Sequence, residues 1–421
     1  MKILKSSLWL LICLISCKSS LAQDSLTYEV LKPLTYSFQI KDGVLSGPGA
    51  SFLSAEIRKA QYTMMGEYHG SKRISELTEA LILVMDSAGY KTMVLEVGPA
   101  SARLLNDAIK QPEQTTQLLH QLNDKYALVE EDGYVNTPIP FFSNTEDAAF
   151  LTRAKERDWN VLGIDQEFIY GFAMLLDEMY KNLSAASQSK HKQIYEAASD
   201  SMKIYYQDDF KDKRRFAKAV TASTTIDEFL TKMSSTASNL PIIDAFKKSL
   251  HIYHLYATRQ WFENNSTRIK YMKAMLHKGL TDSAFDLQKD KLFIKMGGIH
   301  LARGFSNLSL YEVGNTLSEL AAYYGNSTLN ISFGSRFYME NDTLVDELQS
   351  TSRYATRYKD FTLMGKAAEW VVIDLRPLIK GYYYRPRKYL FNKWIAENVQ
   401  QYDLLIIPKT EMDPTPNYSS Q

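Results

Sequence analysis

Two short motifs in the sequence place a histidine three residues after a glycine, each at the end of an apolar run. The first reads GEYH (66–69) and the second reads GGIH (297–300). An imidazole titrates near neutral pH, so it can act as a general base or bind a metal ion. Because ligands of open α/β sheets bind beyond the carboxyl ends of the strands, we predict that His69 and His300 meet over a sheet.

Carboxylates end further apolar runs in the same way. Glu67 lies inside the first motif, Glu96 ends the run TMVLE, and Asp165 ends the run NVLGID. A buried carboxylate needs a partner, because leaving it unpaired is costly or shifts its pKa. If the strand before Glu96 neighbours the strand before His69, Glu96 lies beside that imidazole. Asp165 is expected either to contact the substrate or to stabilise the fold.

Arg268 stands in the segment NNSTRIKYM (264–272), where Asn265 or Ser266 is expected to cap the start of a helix. A guanidinium can hold a carboxylate or a substrate oxygen through two hydrogen bonds. We therefore take Arg268 as a substrate-binding candidate, and the alternative is a solvated arginine on the helix surface.

Other reactive groups are scarce. His251 and His254 would share one helix face, but no third metal ligand is evident near them, which favours a core or surface pair. Both cysteines, Cys13 and Cys17, lie in the N-terminal stretch, so the body of the chain has no disulfide, thiolate ligand or cysteine nucleophile. The sequence has no P-loop, dinucleotide-binding glycine pattern, GxSxG or HExxH motif. A metal site in the body would therefore use histidines and carboxylates.

Short apolar runs that alternate with helix-like stretches must position these residues. Runs of this kind favour an α/β fold with a largely parallel central sheet flanked by helices. A helix is predicted from Ile74 to Gly89. Residues 170–290, rich in Lys, Ala, Ser, Met and Leu, predict a helical cap inserted between the third and fourth strands. The strands are predicted at 62–65, 92–96, 160–165, 292–296, 329–333, 370–374 and 404–407.

The charge balance argues against nucleic acid as a partner. The 421 residues contain 49 Lys and Arg against 48 Asp and Glu, a formal net charge of +1, so no net field draws the chain to a polyanion. The run KGYYYRPRKY (380–389) interleaves aromatic and basic residues as nucleic-acid surfaces do, but the neutral balance favours a cleft wall or a solvated hairpin. We expect a small-molecule partner. The final segment, 409–421, is expected to be a loose tail.

Residues 1–22 are typical of an export signal. Lys2 and Lys5 precede a short apolar run, and the small residues at 20–22 suit cleavage before Gln23. No later segment reaches the run of about 18 apolar residues that a transmembrane helix needs. We therefore expect the protein to leave the cytoplasm.

A second interpretation of the N-terminus changes only how the protein is anchored. The run LISC (14–17) fits a bacterial lipobox, which would leave a lipidated Cys17. The expected location is then periplasmic, secreted, or lipid-anchored at the outer membrane of a bacterium, and the lipid is the one expected link to a membrane. Residues 23–421 are expected to form a single domain.

The motifs resemble the superfamily that joins erythromycin esterases, TraB/Tiki proteins and ChaN-type haem-uptake proteins. Within it the erythromycin esterase-like branch fits best, and the order of the short motifs over about residues 50–415 carries the resemblance. It implies an α/β fold and a hydrolase that acts on ester bonds. The motifs are GEYHGS (66–71), VLEVG (94–98), GIDQ (163–166), NNSTRIKYM (264–272), GGIH (297–300) and YDLLIIPKTEMDPTP (402–416).

The resemblance implies first a hydrolase that needs no cofactor. In it His69 would act as general base on a water molecule, and Glu67 or Glu96 would orient the imidazole. His300 would hold the water or the developing oxyanion, and Arg268 would help to stabilise the latter.

Two alternatives remain open. In a metal-dependent Tiki-type peptidase or hydrolase, the ligands of Mn²⁺, Co²⁺ or Zn²⁺ would be Glu67, His69, Glu96 and His300. In a ChaN-type uptake protein that binds haem or another iron porphyrin, His69 or the adjacent Tyr68 would ligate the iron. Metal content and haem titration separate these alternatives from the first hydrolase.

Overall fold

The computed structural model describes residues 26–108, 111–212, 214–384 and 391–419. The predicted signal at 1–22, with Cys17, lies outside the described residues, as does part of the basic and aromatic run at 380–389. Within the described residues, no helix is both long and apolar enough to cross a membrane.

One mixed sheet forms the centre of the molecule. Among the described residues it has nine strands, in the order β2-β1-β12-β13-β9-β3-β8-β4-β7. Neighbours from β13 to β7 are parallel, whereas β2, β1 and β12 form an antiparallel edge. The sheet strands are β1 (Thr35–Lys41), β2 (Val44–Ser46), β3 (Tyr62–Glu67), β4 (Tyr90–Leu95), β7 (Asn160–Gly163), β8 (Lys291–Gly297), β9 (Thr328–Phe333), β12 (Trp370–Asp374) and β13 (Leu404–Ile407). The predicted largely parallel sheet is confirmed.

The strands that the sequence predicted are the buried ones. All six residues of β3 are buried, and β13 is buried throughout, because both faces of the sheet carry helices. The edge strands β1 and β2 were missed, since TYSFQIK alternates polar and apolar residues and is only partly buried. Two small hairpins lie outside the sheet: β5 (Leu128–Val129) with β6 (Val135–Asn136), and β10 (Phe337–Glu340) with β11 (Thr343–Asp346).

The order of the strands does not meet the condition that the sequence analysis stated for Glu96. Strand β4, which leads to Glu96, does not neighbour β3, which leads to His69. Strand β8 lies between them and pairs in parallel with both. A crossover connection that carries the whole 170–290 segment returns the chain to this central position, which the local sequence does not reveal.

Helices cover both faces of the sheet. The helices described are α1 (Tyr28–Leu31), α2 (Pro48–Lys59), α3 (Lys72–Ser87), α4 (Pro99–Ala108), α5 (Thr115–Tyr126), α6 (Thr145–Lys155), α7 (Phe172–Lys181), α8 (Ala185–Lys211), α9 (Arg215–Ala222), α10 (Thr224–Met233), α11 (Leu240–Ala257), α12 (Trp261–Asp282), α13 (Gly298–Leu301), α14 (Val313–Tyr323), α15 (Arg353–Thr362), α16 (Arg376–Tyr384) and α17 (Lys393–Gln401).

The segment between β7 and β8 is helical, as predicted. It contains α7 to α12 and packs around an aromatic core in which Phe172 contacts Phe216 and Phe246. Helix α12 returns to the sheet, where Met272 shares an apolar cluster with Ile294 of β8. This helix begins at Trp261, so the prediction that Asn265 or Ser266 caps it is wrong, and Arg268 lies in its interior.

The C-terminal segment is not a loose tail up to its last described residue, Ser419. Glu411 accepts hydrogen bonds from the loop after β3 and from the first turn of α3, and Asn417 is buried with its side chain bonded to Thr116 O. The prediction was wrong because the polar composition of this segment suggested solvent, whereas its carboxylate and amide groups pair with other parts of the chain.

Candidate active site

The six residues singled out from the sequence surround one cleft beyond the carboxyl ends of β3, β8 and β4. Two adjoining cavities of about 430 and 480 Å³ meet there. Both cavities are lined by Glu67, His69, Glu96 and Arg268, while His300 lines the smaller and Asp165 the larger. The fold thus brings together side chains that are distant along the chain.

His69 is the half-exposed imidazole of the cleft. Its side chain is 43% exposed, its Nδ1 lies 3.4 Å from Glu67 Oε1, and its Nε2 lies 3.9 Å from Glu96 Oε2. The ring stacks on Phe141 with 4.2 Å between centroids. Burial alone would lower the pKa of His69, but the hydrogen bond to Glu67 and the charge of Glu96 outweigh it and raise that pKa.

Glu67 joins His69 to a buried lysine. Its Oε2 accepts a hydrogen bond from Lys295 Nζ, and its other oxygen faces His69. Burial would raise the pKa of Glu67, but the charge of Lys295 and the hydrogen bond from His69 lower it. The carboxylate is therefore ionised and can hold a protonated imidazole.

Gly297 explains how Glu96 reaches His69 although β8 separates their strands. The Gly297 amide donates to Glu96 Oε2 over 2.5 Å. A Cβ at this position would lie 3.1 Å from His69 Nε2 and 3.2 Å from Glu96 Oε2. The missing side chain at the end of β8 thus leaves the space in which the two groups approach each other.

Arg268 binds carboxylates of the protein itself. Its Nε and Nη2 donate to Asp165 Oδ1 and Oδ2 over 2.9 and 2.5 Å, and Nη2 also donates to Glu96 Oε1 over 2.8 Å. Burial opposes the charge of Arg268, but Asp165 and Glu96 outweigh it and raise its pKa. Arg268 and Asp165 therefore form an ion pair at the wall of the larger cavity, and Glu96 is held from two sides.

His300 occupies a different environment from His69. It lies in the short helix α13 and is only 6% exposed. Its Nδ1 lies 3.0 Å from Glu312 Oε2, and its Nε2 lies 3.5 Å from Glu96 Oε1. Glu312 also accepts a hydrogen bond from Ser306 Oγ over 2.8 Å. The second histidine is thus fixed by buried carboxylates.

Three residues of the site were not predicted from the sequence: two contact the histidines and one contacts Glu67. Lys295 was visible as a lone charge inside the apolar run LFIKM, which signals a buried partner. Phe141 had no sequence signal, although it adopts φ +66°, a strained backbone for an aromatic residue. Glu312 also had none, because its partner His300 lies in a different element.

The donor set fits a divalent cation poorly. Both acidic members of the proposed set, Glu67 and Glu96, already contact the cations of Lys295 and Arg268. A further positive charge would be repelled by these groups. Among the described residues there is no group of three or more His, Cys, Asp or Glu side chains suited to a metal ion, and this holds also for His251 and His254 in α11.

Tyr68 does not suit a haem ligand. Its hydroxyl donates to Glu411 Oε2 over 3.0 Å. Burial and the charge of Glu411 raise its pKa well above the ordinary value, so the phenolate that iron prefers is disfavoured. Both residues suggested for haem line the smaller cavity, but the Tyr68 hydroxyl is bound to Glu411.

Solved structures share the fold of this chain. A succinoglycan biosynthesis protein matches with a TM-score of 0.53 and 14% identity over 92% of this chain and 97% of that one. A Bacillus cereus protein matches with a TM-score of 0.50 and 13% identity over 91% and 97%. The fold is that of known α/β proteins. No protein-family model and no curated protein matches the sequence.

The matched structures also include an erythromycin esterase mutant in its open conformation. It has a TM-score of 0.48 and 11% identity over 86% of this chain and 94% of that one. At such identities the likeness concerns the fold alone.

Proposed function

We propose that the protein is an esterase-like hydrolase in which His69 activates a water molecule. The observation that carries the proposal is the position of this imidazole, half-exposed at the meeting point of two cavities and flanked by Glu67 and Glu96. Its partners raise its pKa, which suits a base that must hold a proton briefly.

The proposal gives a role to each nitrogen of His69. In the proposed tautomer, Nδ1–H donates to Glu67, 3.4 Å away, which leaves Nε2 as the acceptor facing the cleft. Nε2 takes a proton from water while the water oxygen bonds to the ester carbonyl carbon. The imidazolium then returns the proton to the alcohol oxygen as the C–O bond breaks, and an acid and an alcohol leave.

The cleft wall supplies a donor for the oxyanion and a group that holds the water molecule. Arg268 and His300 both line the smaller cavity beside His69. The proposed donor to the carbonyl oxygen as it becomes negative is Arg268 Nη1, since Nε and Nη2 bind Asp165 and Glu96. His300, whose Nδ1 is against Glu312, is proposed to hold the water molecule through Nε2. General base catalysis contributes about 10²–10⁴-fold, and an oxyanion donor contributes about 10²–10³-fold. No step of this scheme requires a metal ion.

The proposed substrate is a small-molecule ester. Cavities of about 430 and 480 Å³ lie in the range of small-molecule sites. The sequence resemblance to erythromycin esterases points to the same bond class. Export from the cytoplasm, by cleavage after residue 22 or by lipidation of Cys17, is part of the proposal and follows from the N-terminal sequence.

A panel of chromogenic esters and lactones tests the proposal with the chain from residue 23 onward. We expect turnover that survives exhaustive chelation and falls by about 10²–10⁴-fold in His69→Ala. The matched control is His251→Ala, since His251 is an exposed histidine on α11, and this variant should keep full activity. Full activity in His69→Ala would refute the role of His69, and loss of activity on chelation would favour the metal-dependent alternative.

A further inference from the structure

Lys295 is a buried charge that the proposed mechanism does not use. It lies within β8 and is 3% exposed. Its Nζ contacts Glu67 Oε2 and lies 5.2 Å from the centroid of the Phe150 ring. Burying an ammonium lowers the stability of the fold unless the charge is paired, so the position of Lys295 requires an explanation.

Glu67 connects this lysine to the cleft. One carboxylate oxygen accepts from Lys295, and the other lies 3.4 Å from His69 Nδ1. The two contacts use opposite oxygens of a single side chain that is 6% exposed. Lys295 and His69 therefore act on each other through Glu67 without direct contact.

We propose that Lys295 is a positioning residue of the site, whose buried ammonium keeps Glu67 ionised and oriented so that its free oxygen holds His69. The consequence for turnover rests on the proposed function of His69. The electrostatic part concerns only the protein and is testable without any substrate.

Other charged groups face this trio from each neighbouring element. Glu96 and Arg268 approach from β4 and α12, His300 lies in α13, and Asp147 lies in α6. Arg268 is already paired with Asp165 and Glu96. None of these groups replaces Lys295 at Glu67 in the contacts of the described residues.

Asp147 is a second acid near Lys295, but it has its own donors. Ser75 Oγ donates to it over 2.6 Å and Asn144 Nδ2 donates over 3.1 Å. Burial raises the pKa of Asp147 to about 6, although the charge of Lys295 opposes this rise. Glu67, which Lys295 contacts directly, is therefore the acid that depends most on the lysine.

Replacing Lys295 with methionine distinguishes two possibilities by sign. If Glu67 stayed ionised without the ammonium, loss of a nearby positive charge would raise the pKa of His69. If Glu67 became protonated, as its burial favours, His69 would lose the charge that holds its proton, and its pKa would fall. Our proposal requires the fall.

The test is a histidine-selective NMR titration of the full chain, with the His69 signal assigned from its absence in His69→Gln. We expect the His69 pKa to fall toward its ordinary value of about 6.5 in Lys295→Met, and to fall similarly in Glu67→Gln. The double variant should show no further fall. An unchanged or raised pKa in Lys295→Met would overturn the proposal.

Two controls separate the specific effect of Lys295 from the loss of any lysine and from misfolding. Lys91→Met removes an exposed lysine paired with Asp86 and should leave the His69 titration unchanged. If the single variant Lys295→Met does not fold, the double variant Glu67→Gln/Lys295→Met removes both charges. Loss of a whole buried ion pair destabilises a protein less than loss of one partner. In that case Lys295→Arg, which retains the positive charge, must preserve the raised pKa of His69 for the proposal to stand.

Kinetics then connect the lysine to turnover. In Lys295→Met we expect kcat to fall about tenfold or more, with little change in KM, because the lysine is 3% exposed and its ammonium binds Glu67. An unchanged kcat in a variant whose His69 pKa has fallen would overturn the link to turnover. If no ester is hydrolysed by the wild type, the proposed function fails while the titration still decides the electrostatic claim.

Discussion

The two Gly-x-x-His motifs share a sequence frame but differ in environment. In the first motif, His69 follows β3 in a loop and opens onto both cavities. In the second motif, His300 is enclosed in helix α13, with its Nδ1 against Glu312. A base that exchanges protons with water must be reachable, whereas a group that holds the water molecule in place must be rigid. We therefore assign the proton transfer with water to His69, the more exposed of the two histidines.

The two motifs are also braced differently. The loop that carries His69 is held by the C-terminal segment, where Glu411 accepts hydrogen bonds from Ser71 Oγ, Tyr68 Oη and Arg73 N over 2.6, 3.0 and 3.0 Å. His300 is instead braced by Glu312, which is close to it in sequence. Two motifs with the same spacing are therefore held by hydrogen bonds from different parts of the chain.

The largest effect is expected at His69. His69→Ala should reduce kcat by about 10²–10⁴-fold with little change in the melting temperature, because the side chain is half-exposed. Initial rates and thermal unfolding of the same preparation check this. If activity and melting temperature fell together, the site would be structural, and the contrast with His300 would disappear.

Removing the support of His300 should act first on stability. Glu312→Ala leaves His300 Nδ1 and Ser306 Oγ without their acceptor inside the protein, which should lower the free energy of unfolding by about 1–3 kcal/mol. Denaturant unfolding measures the loss. Glu312→Gln keeps an acceptor and should lose less, and equal losses in both variants would contradict the role of the hydrogen bond.

Removing the brace of the His69 loop should cost less. Glu411→Ala deletes the shared acceptor of three donors and should lower kcat roughly tenfold, since small misplacements of a reacting group are expensive. The control is Asp413→Ala, two residues further along at an exposed position. A rate in Glu411→Ala equal to that of the control would show that the loop needs no brace.

The smallest effect is a displacement of the pH profile. Because the pKa of His69 is raised and the base must be neutral, kcat/KM should rise with pH through a midpoint above 6.5. The same interactions stabilise the fold fully below the unfolded value near 6.5, and that stabilisation is lost as pH rises through the folded pKa. Glu67→Gln should move the kinetic midpoint downward, and a midpoint that stays in place would argue against His69 as the titrating group.

Much of the fold was accessible from the sequence because the buried strands are short apolar runs. The strands that lead to Glu67, Glu96 and Asp165 were recognised in this way, as was the helical segment before β8. The edge strand Thr35–Lys41 was missed because it is only partly buried. The ordered tail was missed because contacts such as those of Glu411 depend on distant residues.

The candidate site was accessible only in part. The types of the residues and their places at strand ends pointed to His69, His300 and Glu96. The sequence could not predict the pairing of Arg268 with Asp165 or the position of Lys295 beneath Glu67. These side chains come from elements that meet only after folding.

The sequence by itself determined which chemical groups this protein has and where each apolar strand ends, because burial periodicity and turn residues act over a few neighbouring positions. Only the tertiary structure decided that β8 lies between β3 and β4, that Gly297 opens the space joining His69 to Glu96, and that one histidine is reachable while the other is enclosed. Strand order and burial result from packing of the whole chain, and no local pattern encodes them.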